Sequence, residues 1–373
     1  MTGIMTRSSS SRTLPLPAAQ GYRMPAEWEP HESTWLAWPH FREDWPGKFE
    51  PIPWVYAEIV RHLARHERVD LIVNDSSWEE RASAVLDKAD ALSDNVRFHR
   101  WRTDRVWTRD SGCIFLKPPD QPANSGLAAL HFQFNAWAKY PNYQRDERVG
   151  ERMAKAAGAR VVQPWFVRPN NEPHRVVLEG GSIDVNGCGT VLTTEECLLS
   201  ATQSRNPPMD RAAYEQLFFD YLGAPNVIWL DSGIAGDDTH GHVDDITRFI
   251  APNTVVTMVE ANEQSENYAP LYGNLGRLKN ARTPEGKKLD IVEIPLPRPV
   301  LFEGRQLPAS YANFYIANGS ILVPVFNDPN DRVALNTLAA QFPTREIVPI
   351  YSGDLIWGLG ALHCMTQQQC TLL

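Results

Sequence analysis

The chain has 373 residues, 43% of them hydrophobic and 22% charged, and a formal net charge of −9. Such a composition belongs to a globular protein with a sizeable core, in one large domain or two ordinary ones. The acidic balance argues against a general nucleic-acid binder and favours the approach of a cation.

The N-terminal stretch MTGIMTRSSSSRTLPLPAAQG lacks the apolar centre of a secretory signal, and no apolar run in the chain is long enough to span a membrane. Residues 1–20 are expected to be a disordered tail, with a single folded domain over 21–373. Five cysteines, none in a CxxC pair, point away from a disulfide framework and towards a reducing, cytoplasmic setting.

Folded structure is expected from about Tyr22. WVYAEIVRHLARHERVDLIVND reads as an amphipathic helix followed by a strand over Val69 to Val73. SWEERASAVLDKAD reads as a helix, NVRFHRW and CIFL as strands, and PPDQPANSG as a loop. DERVGERMAKAAGA is helical, with Gly158 placed to end it. RVVLEGGSIDVNGCGTVLTT predicts three short strands separated by Gly-Gly and Asn-Gly turns. Then come a helix in RAAYEQLFFDYLG, strands in NVIWL, ITRFI, TVVTMVE, NFYIA and SILVPVF, and a helix in DRVALNTLAAQFP. The class is α/β. Neither a GxGxxG nor a GxxxxGK[ST] motif is present, which removes the usual nucleotide-binding readings.

Five polar residues recur beside strand-like runs: Asp110, Glu179, Asp244, Asn313 and Cys364, separated by 69, 65, 69 and 51 residues. A repeat of one ββαβ unit would produce such spacing, each unit supplying one polar group to a shared centre, as in a closed propeller.

Cys364 stands in GLGALHCMTQQQ, where preceding glycines permit close backbone approach and the following threonine and glutamines are unusual company for a core thiol. It could be a packed thiol, a metal ligand or a nucleophile. GDDTHGHVDD holds four aspartates and two histidines. It could be a solvated acidic loop, a metal site built on Asp237, Asp238, His240 and His242, or a catalytic loop. Asp110, after Arg109, and Glu179, before Gly180-Gly181, could each be an ordinary turn acid. Together with a cysteine and a histidine they suit attack on a guanidinium. Carboxylates clamp that planar cation, a thiolate attacks its carbon, and a histidine moves the protons.

The stretches MPAEWEPHESTWLAWP, EGGSIDVNGCGTVLTTEECLLS, GHVDD, SYANFYIANGSILVPVFND and LHCMTQQQ carry a resemblance over about 350 residues. The chain resembles the agmatine deiminases, relatives of the bacterial peptidyl-arginine deiminases in the guanidine-modifying superfamily. The resemblance implies a five-bladed α/β propeller of ββαβ units with pseudo-fivefold symmetry. It also implies a small cationic guanidine as substrate, a role in putrescine and polyamine synthesis, a homo-oligomer, and no metal or organic cofactor. It maps the nucleophile to Cys364, the general acid/base to His242, the guanidinium ligands to Asp110 and Asp244, a further site acid to Glu179 and a channel wall to Trp107. Three features depart from the family pattern: GLGAL before His363-Cys364, His240 before Gly-His-Val-Asp, and Cys113 after Arg-Asp-Ser-Gly.

Other readings use the same residues differently. They are a deiminase of another guanidine or of peptidyl-arginine, a metallohydrolase on the His/Asp loop, and a non-catalytic propeller binding through Trp28, Trp35, Trp38, Trp45 and Trp54. Within the GDDTHGHVDD stretch only acids and histidines are on offer, and Trp107 adds an aromatic face, so an amine-ended or neutral substrate tail is favoured over a carboxylate.

Overall fold

A computed structural model of the chain describes residues 4–6, 15–119, 126–168 and 171–372. Its class is mixed α/β. Five sheets share one pairing pattern, an antiparallel pair followed by a helix that crosses over to a parallel strand, and in four of them the antiparallel pair is a hairpin. The second sheet shows it plainly: Ile114–Leu116 pairs antiparallel with Ala128–Leu130, which pairs parallel with Arg160–Val162. A parallel neighbour cannot be reached by a tight turn, so the helix Val149–Ala156 makes the crossing.

The third sheet repeats this with Asp184–Val185, Thr190–Thr194 and Asn226–Leu230, crossing through Arg211–Leu222. In the fourth, Thr247–Ala251, Thr254–Val259 and Asp290–Pro295 are linked through Tyr268–Asn280. The fifth joins Tyr315–Ile316, Ser320–Val325 and Glu346–Tyr351 through Pro329–Gln341. The first sheet draws on both ends of the chain. Gln367–Cys370 pairs antiparallel with His31–Ala37, which runs parallel to Arg68–Val73, itself parallel to Val96–Arg100.

Local chemistry explains the helices. Ile52–Leu63 places Ile52, Tyr56, Ile59, Val60 and Leu63 on one buried face, at spacings of three and four. Asp210 caps Arg211–Leu222 by accepting from Ala213 N, and Gly223 ends it at φ 68°, a left-handed conformation that costs a glycine nothing. Asp328 and Asp331 form a capping box at the start of Pro329–Gln341.

A short helical turn precedes the leading strand of the antiparallel pair in each of the five sheets: Thr108–Ser111, Gly180–Ser182, Val243–Asp245, Tyr311–Asn313 and Leu362–Met365. Asp110, Asp244, Asn313 and Cys364 lie on four of them, and Glu179 immediately precedes the other. The recurrence in the sequence is therefore a recurrence in structural position.

Several elements differ from expectation. Val176 to Leu178 forms no regular strand, and Val177 makes a single bridge to Gln133, while the Gly-Gly segment is a turn, as expected. A Cβ on Gly180 would lie 2.4 Å from the Arg109 carbonyl oxygen, so the glycine serves close packing of two turns. The helix Tyr268–Asn280 and the strands His31–Ala37, Asp290–Pro295 and Glu346–Tyr351 were not anticipated. The tryptophan-rich N-terminal region is largely core: Trp35, Trp38 and Trp45 are buried, and only Trp54 is exposed. Of the expected tail, Ile4–Thr6 pairs with residues 164–166 and Ala18–Gln20 forms a short turn. Residues 1–3 and 7–14, and most of the PPDQPANSG loop, lie outside the described residues. No helix among the described residues is long and apolar enough to cross a membrane.

Candidate active site

Cys364 sits on the last of the short turns, buried, with its side chain on the wall of a cavity of about 840 Å³. Asn313 fixes it. The Asn313 Nδ2 donates to Cys364 Sγ at 3.0 Å and to Asp245 Oδ1 at 2.9 Å, while its Oδ1 accepts from the backbone N–H groups of His363 at 2.9 Å and Cys364 at 3.3 Å. Asp244 Oδ2 lies 3.7 Å from the sulfur and 2.7 Å from His363 Nδ1. His363 reaches Glu27 Oε2 with its other nitrogen at 2.8 Å.

His242 is fully buried at the centre of three carboxylates. Its Nδ1 is 3.9 Å from Asp110 Oδ1 and 3.9 Å from Asp244 Oδ1, and its Nε2 is 3.8 Å from Glu179 Oε2. None of these is a hydrogen bond. Among the described residues, both ring nitrogens, Glu179 Oε2 and Asp244 Oδ1 are buried without a hydrogen-bond partner. Gly181 makes room for the cluster: a Cβ there would stand 2.5 Å from His242 Nδ1 and 3.0 Å from carboxylate oxygens of Asp110 and Asp244. Asp110 is held by Trp137 Nε1 at 2.8 Å on Oδ2 and by Gly181 N at 3.1 Å on Oδ1. Glu179 is held by Arg205 Nε at 3.1 Å on Oε1.

The cavity reaches Asp110, Cys364, Trp107 and Trp137 at its inner end. Trp107 packs against Gly360, where a Cβ would come within 2.8 Å of the indole and 3.2 Å of Cys364 Cβ. A Cβ at Gly358 would meet the Trp45 ring at 2.8 Å. The glycines of GLGAL are thus required by two tryptophans, and Leu359 between them takes φ 68° and lines the cavity.

The sequence profile of Porphyromonas-type peptidyl-arginine deiminases matches residues 23–370. The chain belongs to that family. It is 34% identical to the agmatine deiminase of Pseudomonas aeruginosa strain LESB58, over 95% of this chain and 96% of that one. Its fold superposes on the agmatine deiminase of Enterococcus faecalis with a TM-score of 0.86 at 27% identity, covering 98% and 100% of the two chains. A C. jejuni agmatine deiminase, a cysteine-to-serine variant with substrate bound, gives 0.80 at 30% identity, covering 94% and 96%.

All six residues singled out for the family from the sequence come together here: Cys364, His242, Asp110, Asp244 and Glu179 in one cluster, and Trp107 beside the sulfur. The four residues of the metal reading do not. Asp237 accepts from the N–H groups of Thr239, Gly241 and His242 and so shapes their loop. His240 turns to Ser200 Oγ at 3.1 Å, and Asp238 pairs with Lys139 and Tyr140. Among the described residues, two trios have metal-ligand spacing: Glu179, Cys197, His242 and Asp244, Asp245, Cys364.

Other contributors escaped the sequence reading. The sequence marks Asn313 as recurrent but gives it no chemical task. Glu27, His363, Arg205 and Trp137 were not assigned to the site. His363 adjoins the cysteine and Glu27 stands inside PAEWEP, so both lay within quoted motifs. Trp137, in left-handed conformation at φ 58°, left no signal. The cavity wall also holds cations that the acidic loop did not foretell: Arg105, Lys139 and Arg305.

The electrostatics follow from burial. Desolvation raises Asp110 to about 6, opposed by His242 and reinforced by Asp244 and Glu179. Desolvation also works against Glu179, yet Arg205 and His242 hold it down at about 2. For His242, burial favours the neutral ring, but the charge of Asp110 and contacts with Cys197 and Glu179 prevail and raise its pKa well above 6.5. Burial, then Asp244, Asp245 and Asp110, raise Cys364 well above 9, with Asn313 opposing. The resting cysteine is therefore a neutral thiol. Since the thiolate is the reactive form, Cys364 should alkylate slowly although it borders the cavity. At pH 8, peptide mass spectrometry after brief iodoacetamide treatment should find exposed Cys188 modified well before Cys364. Faster labelling of Cys364 would contradict this electrostatic picture.

Proposed function

We propose that the protein is an agmatine deiminase, which hydrolyses agmatine to N-carbamoylputrescine and ammonia. One observation carries the reading. Buried carboxylate oxygens without partners surround an imidazole with free nitrogens, beside a cysteine on a cavity wall. Orphaned buried acceptors are costly, and a guanidinium brings the N–H donors and positive charge they lack. Full-length likeness to agmatine deiminases supports the choice of substrate. The five repeated ββαβ sheets, with the C-terminal strand paired into the N-terminal sheet, support a five-bladed propeller around this centre.

In this reading Asp110 and Asp244 grip the guanidinium, and Trp107 flanks the alkyl chain. The bound cation offsets the negative field at Cys364, and the thiol loses its proton to water. Sγ then bonds to the guanidinium carbon. Protonated His242, held by Glu179, passes its proton to one amino group, whose C–N bond breaks to release ammonia. A thiouronium remains on Cys364. Neutral His242 takes a proton from water and the hydroxide adds to the same carbon; as the C–S bond breaks, the added hydroxyl gives its proton to the departing sulfur, which leaves the ureido product, the Cys364 thiol and protonated His242. No step calls for a metal or organic cofactor.

Two expectations follow for ammonia release from agmatine. Asp110→Asn and Asp244→Asn should each lower kcat/KM by about two to three and a half orders of magnitude, the cost of unpairing a desolvated charge, roughly 3–5 kcal/mol. Normal kinetics in both would place the guanidinium elsewhere.

The acid limb of the pH profile is set by Asp110. Its carboxylate is needed to hold the cation, and its pKa is raised to about 6, so kcat/KM should climb with pH through about 6 and fall below it. A flat profile from pH 5 to 7 would exclude Asp110 as the titrating ligand.

A further inference from the structure

The cavity wall away from the cysteine carries four more carboxylates: Glu43, Asp44, Asp238 and Glu266. Three are accounted for. Asp238 accepts from Lys139 Nζ at 2.5 Å and Tyr140 OH at 2.7 Å, which occupies both oxygens. Glu43 and Glu266 are exposed, where solvent can satisfy a carboxylate.

Asp44 is different. Its side chain is only 12% exposed, and Oδ2 is buried without a partner. Among the described residues neither oxygen accepts a hydrogen bond. Its one nearby cation, Arg105, stands with Nε 3.6 Å from Oδ1, beyond hydrogen-bond reach. That guanidinium is already committed to Asn142, at 2.9 Å to the carbonyl and 3.0 Å to Oδ1, and lies 4.5 Å from the centre of the Tyr140 ring. Burial pushes the Asp44 carboxyl up to about 7, Arg105 opposing and Asp238 and Glu43 adding to the rise. A buried carboxylate in this state lacks the donor and the charge that would satisfy it.

Asp44 lines the same cavity as Asp110 and Cys364. Asp44 adjoins Trp45, whose ring centroid lies 6.0 Å from that of Trp107 at the cysteine. On the other wall, Trp137 holds Asp110 and packs 6.0 Å from Tyr140, which carries Arg105. Trp107, Trp137 and Tyr140 line the same cavity as Asp110 and Asp44, aromatic side chains suited to an alkyl chain. Over the whole cavity five carboxylates face three cations, a surplus of negative charge that fits a ligand cationic at both ends.

We propose that Asp44 is the specificity residue for the far end of the substrate, recognising a primary ammonium joined by an alkyl chain to the guanidinium held at Asp110. This rests on the deiminase reading above and adds to it the group that distinguishes an amine-ended guanidine from a neutral one.

The test compares agmatine with n-butylguanidine, which keeps the guanidinium and four-carbon chain but has no ammonium. The wild-type protein should prefer agmatine. In Asp44→Asn the agmatine/butylguanidine ratio of kcat/KM should fall about tenfold or more, mainly through KM for agmatine, the scale of one lost hydrogen bond to a charged group. Asp44→Glu, which keeps the charge, should retain part of the preference. A merely structural role would lower both substrates together, and an unchanged ratio would overturn the proposal. So would a wild-type protein with no preference for agmatine, a result that needs no variant to fold and leaves the deiminase reading standing. Ammonia release from neither compound would overturn that reading and the proposal with it.

Discussion

Burying several carboxylates around one imidazole is the constraint on which this structure turns. Each buried charge must be offset by an opposite charge or a donor. The protein meets most of this demand with arginines that are themselves buried. Arg205 holds Glu179, Arg109 reaches Glu27 at 3.2 Å, and Arg248 contacts Asp184 and lies 2.9 Å from Glu27. Arg248 also donates to the carbonyls of Phe314 at 2.8 Å and Ala312 at 3.3 Å. The third, fourth and fifth sheets and the N-terminal segment are therefore tied together beneath the site. Among the described residues, the buried carboxylate oxygens left without a partner belong to Glu179 and Asp244 at the reacting centre and to Asp44.

That distribution links architecture to chemistry. Each ββαβ unit begins with a short turn, and each turn delivers one polar side chain to the same place. The turns pack closely enough that side chains would obstruct them, hence Gly180 against the Arg109 carbonyl and Gly181 against His242. Negative charge concentrated this way keeps Cys364 a thiol and His242 an imidazolium. Both states are those of a site waiting for a cation, because the incoming charge relieves the carboxylates and lowers the cost of a thiolate together.

Much of this was legible in the chain. Patterned helices such as Ile52–Leu63 carry an apolar stripe, Arg211–Leu222 carries its caps, and the runs TVLTT over Thr190–Thr194 and SILVPV over Ser320–Val325 are rich in β-branched residues. The recurring Asp110, Glu179, Asp244, Asn313 and Cys364 marked one structural position each. The helix Tyr268–Asn280 was hidden because Pro270, Gly273 and Gly276 depress its intrinsic propensity, while Leu271, Leu275 and Leu278 bury its inner face only in the folded protein. His31–Ala37 was hidden for another reason: it is nearly all buried, so no alternation marks it. Pairings across the whole chain were also illegible. Glu27 with His363, Trp137 with Asp110 and Asp44 with the cavity depend on how sheets assemble, and no local pattern encodes them. The departures His240 and GLGAL have local structural tasks, one bonded to Ser200 and the other fitted against Trp45 and Trp107.

The central claim is that Cys364 bonds covalently to the guanidinium carbon. Acid quenching during steady-state turnover of agmatine, followed by peptide mass spectrometry, tests it most directly. The account predicts that the peptide containing Cys364 gains the mass of agmatine less one ammonia, with the other four cysteines unmodified. Turnover with Cys364 unmodified under quench conditions that preserve a thiouronium, or an adduct on a different cysteine, would contradict it.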